Sequence, residues 1–202
     1  TNRPCIREQR PDRIYPTTGE KWDAVAREVA RIHESGRPIL VGTRSVVASE
    51  RLADRLIEMG LEFDLLNAVR HREEARIVAA AGERGRITIA TNMAGRGTDI
   101  KLGRRVADMG GLHVLATERH ESGRIDRQLF GRCARQGDPG SAQAFISAED
   151  ELMTRFVAAG MRKRLVAALE RNAPGSGPMA QMAIAHAQRA AQRLAYKQRR
   201  NV

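Results

Sequence analysis

The chain has 202 residues, 42% of them apolar and 29% charged, enough for one α/β domain with an appendage and too apolar for a disordered chain. No apolar run approaches the ~18 residues of a membrane span, and the two cysteines, Cys5 and Cys133, exclude a disulfide framework and an all-cysteine zinc site, so a reducing, cytosolic setting is expected. The formal charge of +11 is uneven: residues 1–160 hold 26 Lys/Arg against 23 Asp/Glu, whereas residues 161–202 hold nine against the single Glu170.

In chain order, residues 1–19 are rich in Pro and Arg and read as an extended lead-in that opens on neither Met nor an apolar leader, which fits a segment of a longer protein. Trp22, Val25, Ala26, Val29 and Ile32 recur at helical spacing up to Ser35-Gly36. Residues 38–42 form a short apolar run bounded by breakers, a buried strand. An amphipathic helix over 46–59 closes at Gly60, and 63–66 is a strand. A helix over 71–81 ends at Gly82. Strands are expected at 86–91, 112–116 and 142–147, with a helix over 124–134 between the last two. Helices at 149–158 and 161–171 precede a break at 172–178 and one long, Ala-rich helix over 179–200, whose small side chains need something to pack on. Strands alternating with helices imply a mostly parallel sheet, which binds ligands beyond the carboxyl ends of its strands.

Two stretches after strands carry chemistry. In Asn92-Met93-Ala94-Gly95-Arg96-Gly97-Thr98-Asp99-Ile100, the glycines allow close backbone approach to a ligand, Arg96 offers a fork for phosphate oxygens, and Asp99 can accept from ribose hydroxyls. The dinucleotide fingerprint fails because Ile100 stands at its third glycine, and a glycine turn with an Arg–Asp surface pair is the alternative. In Gln128 to Gly140, Arg132 and Arg135 are three residues apart, which predicts one helical face. Two such guanidiniums repel unless an anion lies between them, and a triphosphate is such an anion; two solvated arginines are the alternative. Gly131 within that helix costs about 1 kcal/mol against Ala, easier to understand if something approaches closely.

Other residues point to less. Glu118, His120 and Glu121 lack a second cluster, so no metal site is expected. His33, His71, His113 and His186 are isolated and read as structural. Cys133 stands beside two arginines that would lower its pKa, but no base is placed to use it. Thr18-Gly19-Glu20-Lys21 lacks the opening glycine of a phosphate loop, and there is no acidic box to hold Mg²⁺. With seven aromatics and a near-neutral body, nucleic acid is not an expected partner of residues 1–160.

Taken together, Val41-Gly42-Thr43, the stretch T-I-A-T-N-M-A-G-R-G-T-D-I-K-L over 88–102, T-E-R-H-E-S over 117–122, G-R-C-A-R-Q-G-D-P-G over 131–140 and E-D-E-L-M over 149–153 closely resemble SecA. SecA is the preprotein translocase ATPase built on the superfamily 2 helicase motor. The resemblance covers about residues 1–158, including T-N-R-P at 1–4 and D-R-I-Y at 12–15, and it implies a RecA-like second motor domain over 20–158. It follows that Arg96, Gly97, Asp99 and Gln136 contact ATP, and that Arg132 and Arg135 reach its γ-phosphate across a cleft shared with a first motor domain. That preceding domain would hold most of the Mg²⁺ contacts and the phosphate loop, so residues 1–202 alone are expected to be inactive. Residues 159–202 would be a helical extension with its linker at 172–178, loosely resembling the start of SecA's scaffold helix. Preprotein and a translocation channel are the partners implied, with anionic lipid for the basic tail and a cytoplasmic, peripheral place at the inner face of the membrane. The sequence departs from the family at Phe130, Cys133 and Ala134, which stand for the usual Arg, Ser and Gly. The second RecA-like domain of a superfamily 2 RNA or DNA helicase, or an adaptor that kept only the fold, are the competing readings.

Overall fold

Four central strands carry only buried residues, a pattern that requires helices on both faces of a parallel sheet. The computed structural model describes residues 4–66, 71–91, 99–173 and 175–200. Its elements run β1 (Glu8–Gln9), β2 (Arg13–Tyr15), α1 (Thr18–Glu34), β3 (Ile39–Thr43), α2 (Val46–Glu58), β4 (Asp64–Leu66), α3 (His71–Ala80), β5 (Ile87–Thr91), β6 (Leu112–Ala116), α4 (Gly123–Phe130), β7 (Gly140–Ser147), α5 (Glu151–Phe156), α6 (Ala159–Glu170) and α7 (Ser176–Arg200). The strands lie in the order β1-β7-β6-β3-β5-β4, with β2 also on β7, and every pairing is parallel.

Alternation along the strands builds two cores. One face sets Ile39, Val41, Ile87, Ile89, Leu115 and Phe145 against Trp22, Val25, Val29 and Ile32 of α1 and Leu52 and Leu56 of α2. The other sets Leu40, Ala90, Val114, Ala142 and Ala144 beneath Phe130 of α4, and continues through Leu152, Met153 and Leu165 to Ala180, Ala183, Ile184 and Ala187 of α7. The Ala-rich helix thus finds its packing partners, and its small residues let it lie close.

Three expectations change. The lead-in is extended, but its β1 and β2 extend the sheet at β7, with Glu8 opposite Ser141 and Ile14 opposite Ile146. Part of the break at 172–178 is already helical: α7 starts at Ser176 with Pro178 in its first turn, where proline forfeits no hydrogen bond. The helix expected over 124–134 stops at Phe130, with Gly131 as its C-cap. Arg132 and Arg135 therefore do not share a helical face.

A buried ion pair ties α1 to the end of β7. Lys21 Nζ lies 2.5 Å from Asp150 Oδ1, and both side chains are almost fully enclosed. Burial pushes the Asp150 carboxyl up to about 6 against the pull of that ammonium, and Asp150 also accepts from the Ser147 amide at 2.8 Å.

Candidate functional site

Helix α4 lies hard against the carboxyl end of β3. A Cβ added to Gly42 would come within 2.4 Å of the Leu129 side chain, so glycine is what lets the helix approach the strand. Beyond Gly131 the chain turns through two non-glycine residues of positive φ, Ala134 at 55° and Gln136 at 53°. Such backbone is costly for side chains with a Cβ and persists where packing imposes it. Here Cys133 and Ala134 are buried beneath β7 and hold the turn down.

The turn presents the arginines to a hollow of about 450 Å³ on the α4 face of the sheet, lined by Arg132, Arg135, Gln128, Thr88 and Thr91 together with apolar side chains such as Leu40, Val78, Ala90 and Leu129, and so not confined to the carboxyl end expected for a parallel sheet. An adjoining hollow of about 410 Å³ is lined by Asp99, Gly131, Arg135 and Gln136 together with Arg7. Arg135 belongs to both. Its Nη1 donates to Asp99 Oδ1 at 2.6 Å and its Nε donates to the Gly131 carbonyl at 2.9 Å. The two side chains of that ion pair are 36% and 42% exposed, so solvent screens it and a competing anion can displace Asp99.

Of the residues singled out in the sequence, Asp99, Arg132, Arg135 and Gln136 thus come together, with Gln128 and Gly131. Arg96 and Gly97 lie outside the described residues. Sequence reasoning passed over two neighbours. Arg7 donates from Nη1 to the Phe130 carbonyl at 2.8 Å and so pins the lead-in to the end of α4. Thr88 lines the larger hollow, and its buried Oγ1 has no hydrogen-bond partner among the described residues. Thr88 could have been suspected as the polar residue inside the buried strand that ends at Thr91; Arg7 carried no signal.

Cys133 corrects an expectation. Burial pushes its thiol up to about 11, outweighing the nearby Arg7, and its Sγ donates to the Phe130 and Ser141 carbonyls at 3.3 and 3.5 Å. Glu121 pairs with Arg155 at 2.6 Å, Glu118 lies 3.7 Å from Arg44, and His120 Nδ1 accepts from the Ser122 amide. Among the described residues no three His, Cys, Asp or Glu side chains are grouped to hold a metal ion.

The SecA P-loop domain family matches residues 4–107 and 104–171. The chain belongs to the SecA family. It is 59% identical over 158 residues to "Protein translocase subunit SecA 2" of Geobacillus thermodenitrificans, covering 78% of this chain and 20% of that protein. It is 51% identical over 200 residues to SecA 2 of Chlorobium chlorochromatii, covering 98% of this chain and 30% of that one. Against SecA of Oleidesulfovibrio alaskensis the identity is 50% over 192 residues, 94% of this chain and 22% of the relative. The SecA-family chain therefore spans less than a third of the length of these relatives. Its fold is also that of helicase domains: the E. coli DEAD-box protein SrmB superposes with a TM-score of 0.58 at 21% identity, over 75% of this chain and 83% of that one. Domain 2 of the DEAD-box helicase Mss116p gives 0.55 at 19%, over 81% of this chain and 60% of that one. This establishes a RecA-like, mostly parallel α/β architecture. Among the described residues no helix is long and apolar enough to cross a membrane.

Proposed function

We propose that this chain is the arginine-bearing second half of a SecA-type ATPase motor, which drives protein translocation by clamping ATP between itself and a preceding motor domain. The observation that carries the reading is the hollow beside α4: Arg132 and Arg135 line it together, and Asp99 and Gln136 adjoin it. The chemistry of the donors fits a polyphosphate. Arg135 gives up a screened partner, Asp99, and turns its planar fork to phosphate oxygens. Asp99, once released, accepts from ribose hydroxyls, and the Gln136 side chain adjoins the same space. Arg96 and Gly97 join them by resemblance to the family.

Charge grows on the γ-phosphoryl oxygens as the terminal phosphate departs, and Arg132 and Arg135 stabilise that charge. Residues aimed so are worth on the order of 10³–10⁵ in rate. By resemblance to the family, Mg²⁺ and the phosphate loop belong to the preceding domain in this reading. Hydrolysis then requires both halves, which makes closure of the cleft the step that moves the preprotein in its channel. A motor domain over 20–158, whose sheet is extended by β1 and β2 of the lead-in, a helical extension over 159–202, a peripheral site at the cytoplasmic face of the membrane, and lipid contact through the basic tail complete the proposal.

The test joins this chain to a SecA first motor domain and measures single-turnover ATP hydrolysis beside ATP binding. Arg135→Ala should slow turnover about 10³-fold while weakening binding about ten-fold or less. Equal losses in both would reject the finger role.

A further inference from the structure

Helix α4, which delivers the arginines, is gripped by side chains from remote parts of the chain, and the grip converges on one buried carboxylate. Asp126, 6% exposed, sits at the start of α4. Its Oδ1 accepts from the His120 amide at 2.9 Å, and its Oδ2 accepts from Gln188 Nε2 at 2.8 Å and faces Arg119 Nη1 at 3.4 Å. Gln188 lies on α7 and donates its other amide proton to the His120 carbonyl at 2.9 Å. Both partners of that amide are acceptors, so the nitrogen is the atom that must face them.

The same carboxylate reaches the far end of α4 through Arg119. That guanidinium grips Asp12 at 2.6 and 3.0 Å and covers the Phe130 ring at 5.0 Å, and Phe130 is the last residue of the helix. One turn further on, Arg135 Nε bonds the Gly131 carbonyl. On α7, Gln181 donates to the Asp12 carbonyl at 3.3 Å, so two glutamines seven residues apart, on one face, touch both anchors of the network. Between and beside them Ala180, Ala183, Ile184, Ala187 and Ala191 are buried and fix the height at which α7 rides.

We propose that Asp126 is a positioning residue: α7, seated through Gln188, holds Asp126, and Asp126 with Arg119 sets the angle of α4 and hence of the turn bearing Arg132 and Arg135. Withdrawal of α7 loosens the arginines. The functional meaning rests on the nucleotide reading above, whereas the coupling itself is read from α4.

The test is hydrogen exchange of the 202-residue chain, with urea unfolding as a control. Gln188→Glu sets a carboxylate against Asp126 and should speed exchange of amides in 124–133 about five-fold or more, leaving β3 and β5 unchanged. Gln188→Ala should act in the same direction, more weakly. Gln188→Lys keeps a donor at that point and should stay within about two-fold of the parent. In the same chain Gln188→Glu should also move the Nε–Hε NMR signals of Arg132 and Arg135 and leave that of Arg37 in place, a signature that the loss of a merely structural contact on α7 does not give. Acceleration confined to α7, or uniform over the sheet, or unmoved Arg132 and Arg135 signals, overturns the proposal. If α4 responds as stated while the parent chain gives no ATP-induced change at all, the nucleotide reading fails and the coupling stands.

Discussion

Two arginines of this chain, Arg37 ahead of β3 and Arg135 in the turn after α4, are used in opposite ways. At the amino end Arg37 is 9% exposed, and its donors are taken up by fixed acceptors: Nε by the Gly111 carbonyl at 3.1 Å, and Nη2 by the Gly110 carbonyl at 2.8 Å and Ser141 Oγ at 2.9 Å. In the turn after α4 Arg135 is more than a third exposed, and its carboxylate partner is about as exposed as itself. The first guanidinium is enclosed among backbone carbonyls; the second forms a pair that solvent screens. Residue type does not separate them. Burial and the mobility of the acceptor do.

The sharpest way to break this contrast is to remove each arginine in turn. Arg135→Ala, for which a large loss of turnover in the assembled motor is the proposed outcome, should change the unfolding free energy of this chain by no more than about 1 kcal/mol, because a screened surface pair contributes little. A larger loss in urea unfolding would make Arg135 a structural residue like Arg37.

The next largest effect lies at the amino end and depends on pH. His113 is fully buried beside Ser141 Oγ at 2.8 Å, and burial, reinforced by Arg37 and Arg10, lowers its pKa to about 4. The unfolded chain takes up this proton near 6.5 while the native chain refuses it until about 4, so His113 removes stability as pH falls through that window, about 3 kcal/mol in all. Asp150 runs the other way, since its native pKa of about 6 stands above the 3.8 of the unfolded chain and adds stability as pH falls. Comparing the parent with His113→Gln isolates the histidine: the variant should gain about 3 kcal/mol on the parent between pH 7 and pH 4. A constant difference across that range would place His113 in a wetter setting than the structure gives it.

Arg37→Ala is the smaller counterpart. It leaves the Gly110 and Gly111 carbonyls without their donor and should cost about 2 kcal/mol in unfolding free energy, with turnover per folded molecule unchanged. Lost turnover would give Arg37 the chemistry proposed for Arg135 and dissolve the contrast.

How far this arrangement was legible in the sequence depended on the range of the forces involved. Strands β3 and β5 announce themselves as short runs of Ile, Leu, Val and Thr between breakers, and α1 and α2 by their apolar spacing. The end of α4 did not, because Phe130, Cys133 and Ala134 continue a helical apolar pattern past Gly131. What stops the helix is tertiary: those residues pack under β7, and Gly140 lies against Cys133 and Ala134. Strands β1 and β2 hide for the same reason, being two and three residues long with a partner more than 100 positions away. The candidate site was legible as a set of residue types, Asp99, Arg132, Arg135 and Gln136. Its geometry was not, since a left-handed turn rather than a shared helical face brings the arginines to one hollow. The brace from Gln188 to Asp126 spans 62 positions and left no local trace.

The proposed cleft fixes where a triphosphate would meet this chain. Titrating the isotope-labelled chain with Mg·ATP and following backbone amides and arginine Nε–Hε signals by NMR reads this directly. Perturbations gathered on Asp99, Gln128, Gly131, Arg132, Arg135 and Gln136, with Arg37 silent, are the predicted result. Shifts gathered at Arg37 and His113, or spread over the surface arginines without preference, would contradict it.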